Sequence, residues 1–438
     1  MPTGFIEIND AGIRAGIDGD IRHCSAGFAV MDGDRLLIGE EGRKKARLLP
    51  RWTNNRFWNQ LGVDPVPNGT AMVRHHADLA FAHLEEVWKQ LAGETRQVVL
   101  AVPGFYSREQ LGLLLGMARE CGIPVAGLVD TSVLAASDNV QHPTVIHLDI
   151  FLHRITLTIL RADTNLRRIE TVTVSEIGLF TLWDRWANII ASQFIQTSRY
   201  DPMHQAISEQ ALYDQLPEWI AQLEESRSHN FELEYGDTRH RVSVSQEQLL
   251  GACATVYPRI VQLIRDHIPQ GGSATLLVSD RFIGFPGLMD SLHLIANVDM
   301  TILASDSVPR AVVTHEDRII STSGTVSHVI SLPVSLSHNA ATTTPPEAST
   351  QPTHLLNNNH ATAIGNALHI AGITDGRIRA SDDNALCTIY RRGNNTYLEN
   401  HTGAAVILNG RQAPARQALT TGDVLTIDDK SLTLITVT

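Results

Sequence analysis

The stretch from Val98 to Ser137 constrains the fold of this chain more than any other. It opens on the apolar run Val98-Val99-Leu100-Ala101-Val102, which Pro103-Gly104 stops, so it reads as a buried strand ending in a turn. Ser107 stands where an N-cap hydroxyl belongs, and Leu111, Leu114, Leu115 and Ala118 recur at helical spacing up to Gly122. Ile123-Pro124-Val125 begins another strand, and Asp130-Thr131-Ser132 can cap a second helix through Ala136. Strand, helix, strand and helix in this order belong to the α/β class.

The same residues resemble the nucleotide-binding domain of the seventy-kilodalton heat-shock proteins and their actin-fold relatives. In that family a strand ends in a Val-Pro-Ala-Tyr-Phe turn, and a later strand leads into Asn-Glu-Pro-Thr-Ala-Ala-Ala. Val102-Pro103-Gly104-Phe105-Tyr106 and Val129-Asp130-Thr131-Ser132-Val133-Leu134-Ala135 take those places at matching spacing. The resemblance implies an actin-like, duplicated ribonuclease-H-like α/β domain over residues 1–336.

With 438 residues the chain has room for two or three domains. Its formal net charge of −12 argues against a general nucleic-acid or anionic-membrane binder, because no large face would attract phosphate. Cys24, Cys121, Cys253 and Cys387 lie far apart with no CxxC, as expected of reduced thiols in a cytoplasmic protein. The start, MPTGFIEINDAG, has no basic region before an apolar core, and no run approaches the roughly 20 apolar residues of a membrane span. None of the histidines, the pair His75-His76 included, has metal-ligand spacing, so no metal site is expected.

Against the family's pattern the phosphate loops depart. Its first hairpin carries Ile-Asp-Leu-Gly-Thr-Thr; here the aligned residues are Ile6-Glu7-Ile8-Asn9-Asp10-Ala11. A glycine has become Asn9, and Asp10 would repel phosphate oxygens. The family's catalytic lysine belongs near Trp52 to Gly62, where Arg56 is the only cation. The second loop, Asp-Leu-Gly-Gly-Gly-Thr in the family, keeps Asp149 but continues Ile150-Phe151-Leu152-His153-Arg154. Bulky residues there fill phosphate space and do not take positive φ cheaply. No Lys or Arg lies between Arg199 and Arg227, so the cationic shelf for the base is missing. The adenosine loop has Ser279-Asp280 in place of a glycine pair.

The remnant cleft is therefore Asn9, Asp10, Phe151, His153, Ser279 and Asp280, with the acids Glu7, Asp130 and Asp149. Those acids either hold Mg²⁺ through waters, as the family positions do, or act as turn and helix caps. His153 and Arg154 either contact a phosphate or form a satisfied surface pair. Gln246 to Ile268 reads as one long helix, and Phe231 to Val244 as a polar hairpin.

Residues 337–352 are Ala/Thr/Pro-rich and read as a flexible linker. Residues 353–438 alternate short strands with Asn-, Gly- and Asp-bearing turns and resemble a forkhead-associated domain, an all-β sandwich. The arginine that such domains use for phosphothreonine is replaced at Gly372-Ile373, and Asn384, Asn400 and Asn409 remain as a polar loop edge for a protein partner. The expected function is a pseudo-ATPase adaptor with no cofactor and no nucleic-acid partner. The alternative is a slow ATPase that holds ATP with Mg and recognises phosphopeptides through its C-terminal domain.

Overall fold

The computed structural model describes residues 2–67, 69–236, 238–320, 326–334, 352–357, 360–365, 367–374, 377–381, 385–392, 395–401, 406–409, 411–427 and 430–435. Most of the linker at 337–352 and all of Asn384 lie outside them. The chain divides into two compact units, Met1–His338 and Asn339–Thr438.

The first unit begins with strands β1 (Thr3–Glu7), β2 (Ile13–Ile17) and β3 (Asp20–Ser25). A small sheet follows, of β4 (Ala29–Asp32), β5 (Arg35–Ile38) and β6 (Thr53–Asn54), with helix α1 (Gly39–Arg43) packed on it. Then come α2 (His76–Lys89), β7 (Gln97–Val102), α3 (Arg108–Glu120), β8 (Val125–Asp130) and α4 (Thr131–Ala136). A second series starts with β9 (Thr144–Ile150), β10 (Arg154–Ala162), β11 (Asn165–Ser175), α5 (Leu179–Ser198) and α6 (Ala206–Glu225). It continues through the hairpin β12 (Ser228–Tyr235) and β13 (Thr238–Ser245), α7 (Gln246–Ala252), α8 (Tyr257–Arg265) and β14 (Ala274–Val278). The series closes with α9 (Leu288–His293), β15 (Val298–Ile302), α10 (Ser307–Thr314), α11 (Glu316–Ile319), β16 (His328–Val329) and β17 (Ser331–Pro333).

These strands form two six-stranded sheets that share one plan. The first has the order β16-β8-β7-β1-β2-β3 and the second β15-β14-β9-β10-β11-β17. In each, an antiparallel three-strand meander is extended from its first strand by parallel strands: β7 then β8 beside β1, and β14 then β15 beside β9. All five residues of β1 and all seven of β9 are buried, as strands covered on both faces must be.

Three apolar layers hold the sheets. α2 and α3 cover the outer face of the first sheet through Leu79, Leu84, Leu111 and Leu114. The outer face of the second sheet packs on Trp186, Phe194, Leu216 and Ile260 of the helices α5, α6 and α8. Between the sheets lie Val133, Ala136, Val308 and Val312 of α4 and α10. Each Val, Leu, Ile or Phe side chain among them contributes roughly 1.5–3 kcal/mol when fully buried. The Ser107 cap forms as its sequence predicts, accepting from Gln110 N at 3.3 Å.

Three local expectations need correcting. Residues 246–268 are two helices, because Pro258 has no N–H to give and instead starts α8 in its first turn. The hairpin β12–β13 is apolar on one side: Phe231, Leu233, Val242 and Val244 are buried, and Phe231 stacks on Trp219 at 4.6 Å. His153 is also buried, so it is no surface residue.

The second unit contains β18 (His354–Asn357), β19 (His360–Ala363), β20 (Ala367–Thr374), β21 (Arg377–Ala380), β22 (Cys387–Arg392) and β23 (Asn395–Asn400). It ends with β24 (Val406–Leu408), β25 (Arg411–Gln412), β26 (Arg416–Leu419), β27 (Val424–Ile427) and β28 (Lys430–Ile435). They form sheets of order β19-β18-β28-β27-β24-β25 and β21-β20-β22-β23-β26. Leu355, Leu425 and Leu434 of one sheet and Ile370, Ile389 and Leu398 of the other belong to a single core. Among the described residues no helix is long and apolar enough to cross a membrane.

Candidate functional site

Open α/β sheets present ligands to the carboxyl ends of their strands, and the acids of this chain gather there. Glu7 ends β1, Asp130 ends β8, Asp149 is next to last in β9, and Ser279-Asp280 follows β14. Glu7, Asp149, Ser279 and Asp280 line one cavity with Arg14, Thr131, His147 and Arg281. The cavity is about 10 Å³, the room that a single water needs.

Its centre is the guanidinium of Arg281, 9% exposed at the side chain. Nη2 donates to Glu7 Oε1 at 3.0 Å and to the Gly12 carbonyl at 3.2 Å, while Nη1 lies 3.8 Å from Asp149 Oδ1. Burial alone would weaken its charge, but Glu7, Asp149 and Asp280 outweigh burial and hold it firmly protonated. Arg14, on β2, grips Asp280 with both nitrogens, at 3.1 and 2.5 Å, and donates to Ser305 O at 3.1 Å. Sequence reasoning missed both arginines. The signal that could have found them is the set of acids on otherwise apolar strands, since buried carboxylates require buried cations.

The other residues singled out from the sequence are engaged as well. Asn9 Nδ2 donates to Asp149 Oδ2 at 3.1 Å and to the Ile150 carbonyl at 3.0 Å, tying the first loop to the second. Asp10 Oδ1 accepts from Leu152 N at 2.8 Å. Burial raises the Asp10 carboxyl to about 6, against the lowering effects of that hydrogen bond, Arg154 and Arg281. Phe151 packs edge-on against Phe105 at 5.1 Å, and Arg154 lies 4.1 Å over the Phe105 ring. His153 Nε2 meets Asn55 Oδ1 at 3.0 Å, and burial takes its pKa down to about 4, which leaves it neutral.

Asp130 stands apart from the cavity. It caps α4, accepting from Ser132 N at 2.9 Å and Val133 N at 3.1 Å, and its second oxygen pairs with Arg168 of β11. Arg168 also donates to the Gly104 carbonyl at 3.1 Å, which closes the turn after β7. For Asp130 the cap expected from sequence is present; Glu7 and Asp149 are instead held by cations and by Asn9.

Arginines also fasten the two sheets' surroundings farther out. Arg47, after α1, pairs with Asp184 of α5 at 2.6 Å and Glu209 of α6 at 3.3 Å, and lies 3.6 Å over the Tyr213 ring. Its backbone N–H donates to Gln210 Oε1 at 2.8 Å. Arg56, the cation in the expected lysine window, pairs with Glu176 at 3.2 Å rather than with an acid of the cavity.

Compared with known protein families and with curated protein sequences, the chain matches none. The site must therefore be judged on its own chemistry. A Mg²⁺ ion bound by carboxylates would sit where Arg281 already meets Glu7 and Asp149, and the two cations would repel. A triphosphate placed where the resemblance would put it would have to displace Phe151 and Leu152, both buried. The residues present do not fit Mg-nucleotide. Glu7 Oε2 and Thr131 Oγ1 are buried without a hydrogen-bond partner among the described residues, and both residues border the water-sized cavity.

Nor does the contact of Ser25 with His83 supply a nucleophile. Ser25 Oγ lies 2.8 Å from His83 Nε2, but Trp58 Nε1 donates to His83 Nδ1 at 2.9 Å. The proton of neutral His83 is therefore on Nε2, which donates to the serine and cannot take its proton.

In the second unit, Asn400 is nearly buried and its Nδ2 braces the Ala413 carbonyl at 3.0 Å. Asn409 adopts φ 50° and holds Asp423 Oδ1 at 2.9 Å and Val424 N at 2.8 Å. Both amides serve the unit's own turns.

Proposed function

We propose that this chain is a heat-shock-type pseudo-ATPase, an actin-like two-sheet fold that serves as a cytoplasmic adaptor or scaffold. In this reading the C-terminal unit is a forkhead-associated-like β-sandwich that docks a protein partner. The observation that carries it is Arg281, whose guanidinium stands between Glu7 and Asp149 where the resemblance would put a metal and phosphates. The repeated plan of the two sheets supports the duplicated, actin-like fold. Four unpaired cysteines are in keeping with a reducing compartment. Slow turnover of ATP would require Arg281, Phe151 and Leu152 to leave together, and nothing in the cleft favours that.

Phosphate release from Mg-ATP by the purified chain tests the reading. The expected rate equals that of buffer. A rate above buffer that disappears in an Asp149→Asn variant of demonstrated fold would overturn it.

A further inference from the structure

We propose that the outer face of the second unit's five-stranded sheet, at Tyr390, Tyr397 and Arg416, docks an acidic, carboxylate-bearing segment of a partner protein. This rests on the reading of that unit as a docking module and assigns the face it uses.

Ile389 and Leu398 are fully buried in the unit's core, so the residues that alternate with them, Tyr390 on β22 and Tyr397 on β23, point outward. The two are register partners, with ring centroids 5.9 Å apart and planes 28° from parallel. Arg416, on the neighbouring strand β26, spreads its guanidinium over both rings, at 4.8 Å from Tyr397 and 5.7 Å from Tyr390. Among the described residues that guanidinium makes no hydrogen bond or ion pair, although Glu399 is the register partner of Arg416. The tyrosine hydroxyls likewise have no hydrogen-bond partner among the described residues.

An arginine resting over aromatic rings is a receptor for a planar oxyanion. Contact with the rings limits its freedom in advance, so less is lost when a carboxylate takes both nitrogens. The tyrosines add rigid contact area beside it, the combination favoured at protein-docking surfaces. Glu399 repels any anion near Arg416, in proportion to the anion's charge. Its Cβ stands about 5 Å from that of Arg416, as directly opposite residues do, and it repels a phosphate dianion or a nucleic-acid backbone more than a single carboxylate. Charge complementarity thus points to an Asp- or Glu-bearing protein segment.

Fluorescence anisotropy on the full chain tests this with a short fluorescein-labelled peptide rich in Glu. Its controls are the same peptide with Gln for Glu and one with a single phosphoserine. The Glu peptide is expected to bind and the Gln peptide not to. Arg416→Gln, an exposed substitution, is expected to weaken the Glu peptide at least about tenfold. Arg416→Lys should restore only part, because an ammonium keeps the charge but loses the fork. The inference is overturned if Arg416→Gln binds like the parent chain, if the Gln peptide binds equally, if only the phosphoserine peptide binds, or if the Glu peptide does not bind at all. Hydrogen-exchange footprinting of the bound peptide separates the two levels. Protection on β22, β23 and β26 supports this face. Protection elsewhere in the second unit leaves the module reading intact and overturns the face, and protection within Met1–His338 overturns both.

Discussion

Arg281 serves two carboxylates with one guanidinium, and removing it leaves Asp149 without a cation and Glu7 with only Arg14, 3.9 Å away. Arg281→Met is expected to lower stability by about 3–5 kcal/mol, the cost of stranding a buried charge. Adding Glu7→Gln should recover part of that loss, and urea unfolding of the single and double variants measures the coupling. Additive effects would mean that the pair is not energetically linked. Asp10 makes a pH prediction. Burial raises its carboxyl from 3.8 to about 6, so the folded state holds that proton more tightly than the unfolded state. Stability is therefore expected to fall as pH rises from about 4 to 6, by up to roughly 3 kcal/mol for a two-unit gap. Asp10→Asn keeps an acceptor for Leu152 N without the charge. Its melting temperature should exceed the parent's at pH 7.5 and differ less at pH 5; an unchanged or reversed difference would show that the buried charge is not costly.

At the level of elements, the Arg47 contacts tie the segment after α1 to α5 and α6. Arg47→Ala removes a partly exposed ion-pair set and a stacked guanidinium, worth roughly 1–2 kcal/mol together. Hydrogen exchange in that segment and in the first turns of α6 should quicken while β7 and β9 stay protected; unchanged exchange would mean that apolar packing alone holds the elements. Ser107→Ala, losing the α3 cap, is expected to cost about 1 kcal/mol. The strands and helices from Val98 to Ser137 were legible in sequence because their signals are local: an apolar run, a proline, a capping serine and a helical repeat. The break inside 246–268 was not, since Leu249, Ile260 and Ile264 keep a helical apolar stripe across it and only Pro258 marks the restart. The arginine pairs were not legible either. Glu7 and Arg281 stand 274 positions apart, and Arg14 and Asp280 stand 266 apart, so no local pattern joins them.

Across the whole molecule, the proposed reading gathers the departures from the resembled pattern around one cleft. In that reading, Asn9, Phe151 and Ser279 stand where the resemblance would put glycines. The geometry shows compensated charge there, Arg281 on Glu7 and Asp149 and Arg14 on Asp280, with Arg168 on Asp130 outside the cavity. Side chains from opposite sheets meet directly across this site. The fold should then be insensitive to nucleotide. Isothermal titration calorimetry of the purified full chain with Mg-ATP tests this most directly. The account predicts no heat beyond dilution up to millimolar nucleotide, and a saturable isotherm at micromolar concentrations would contradict it.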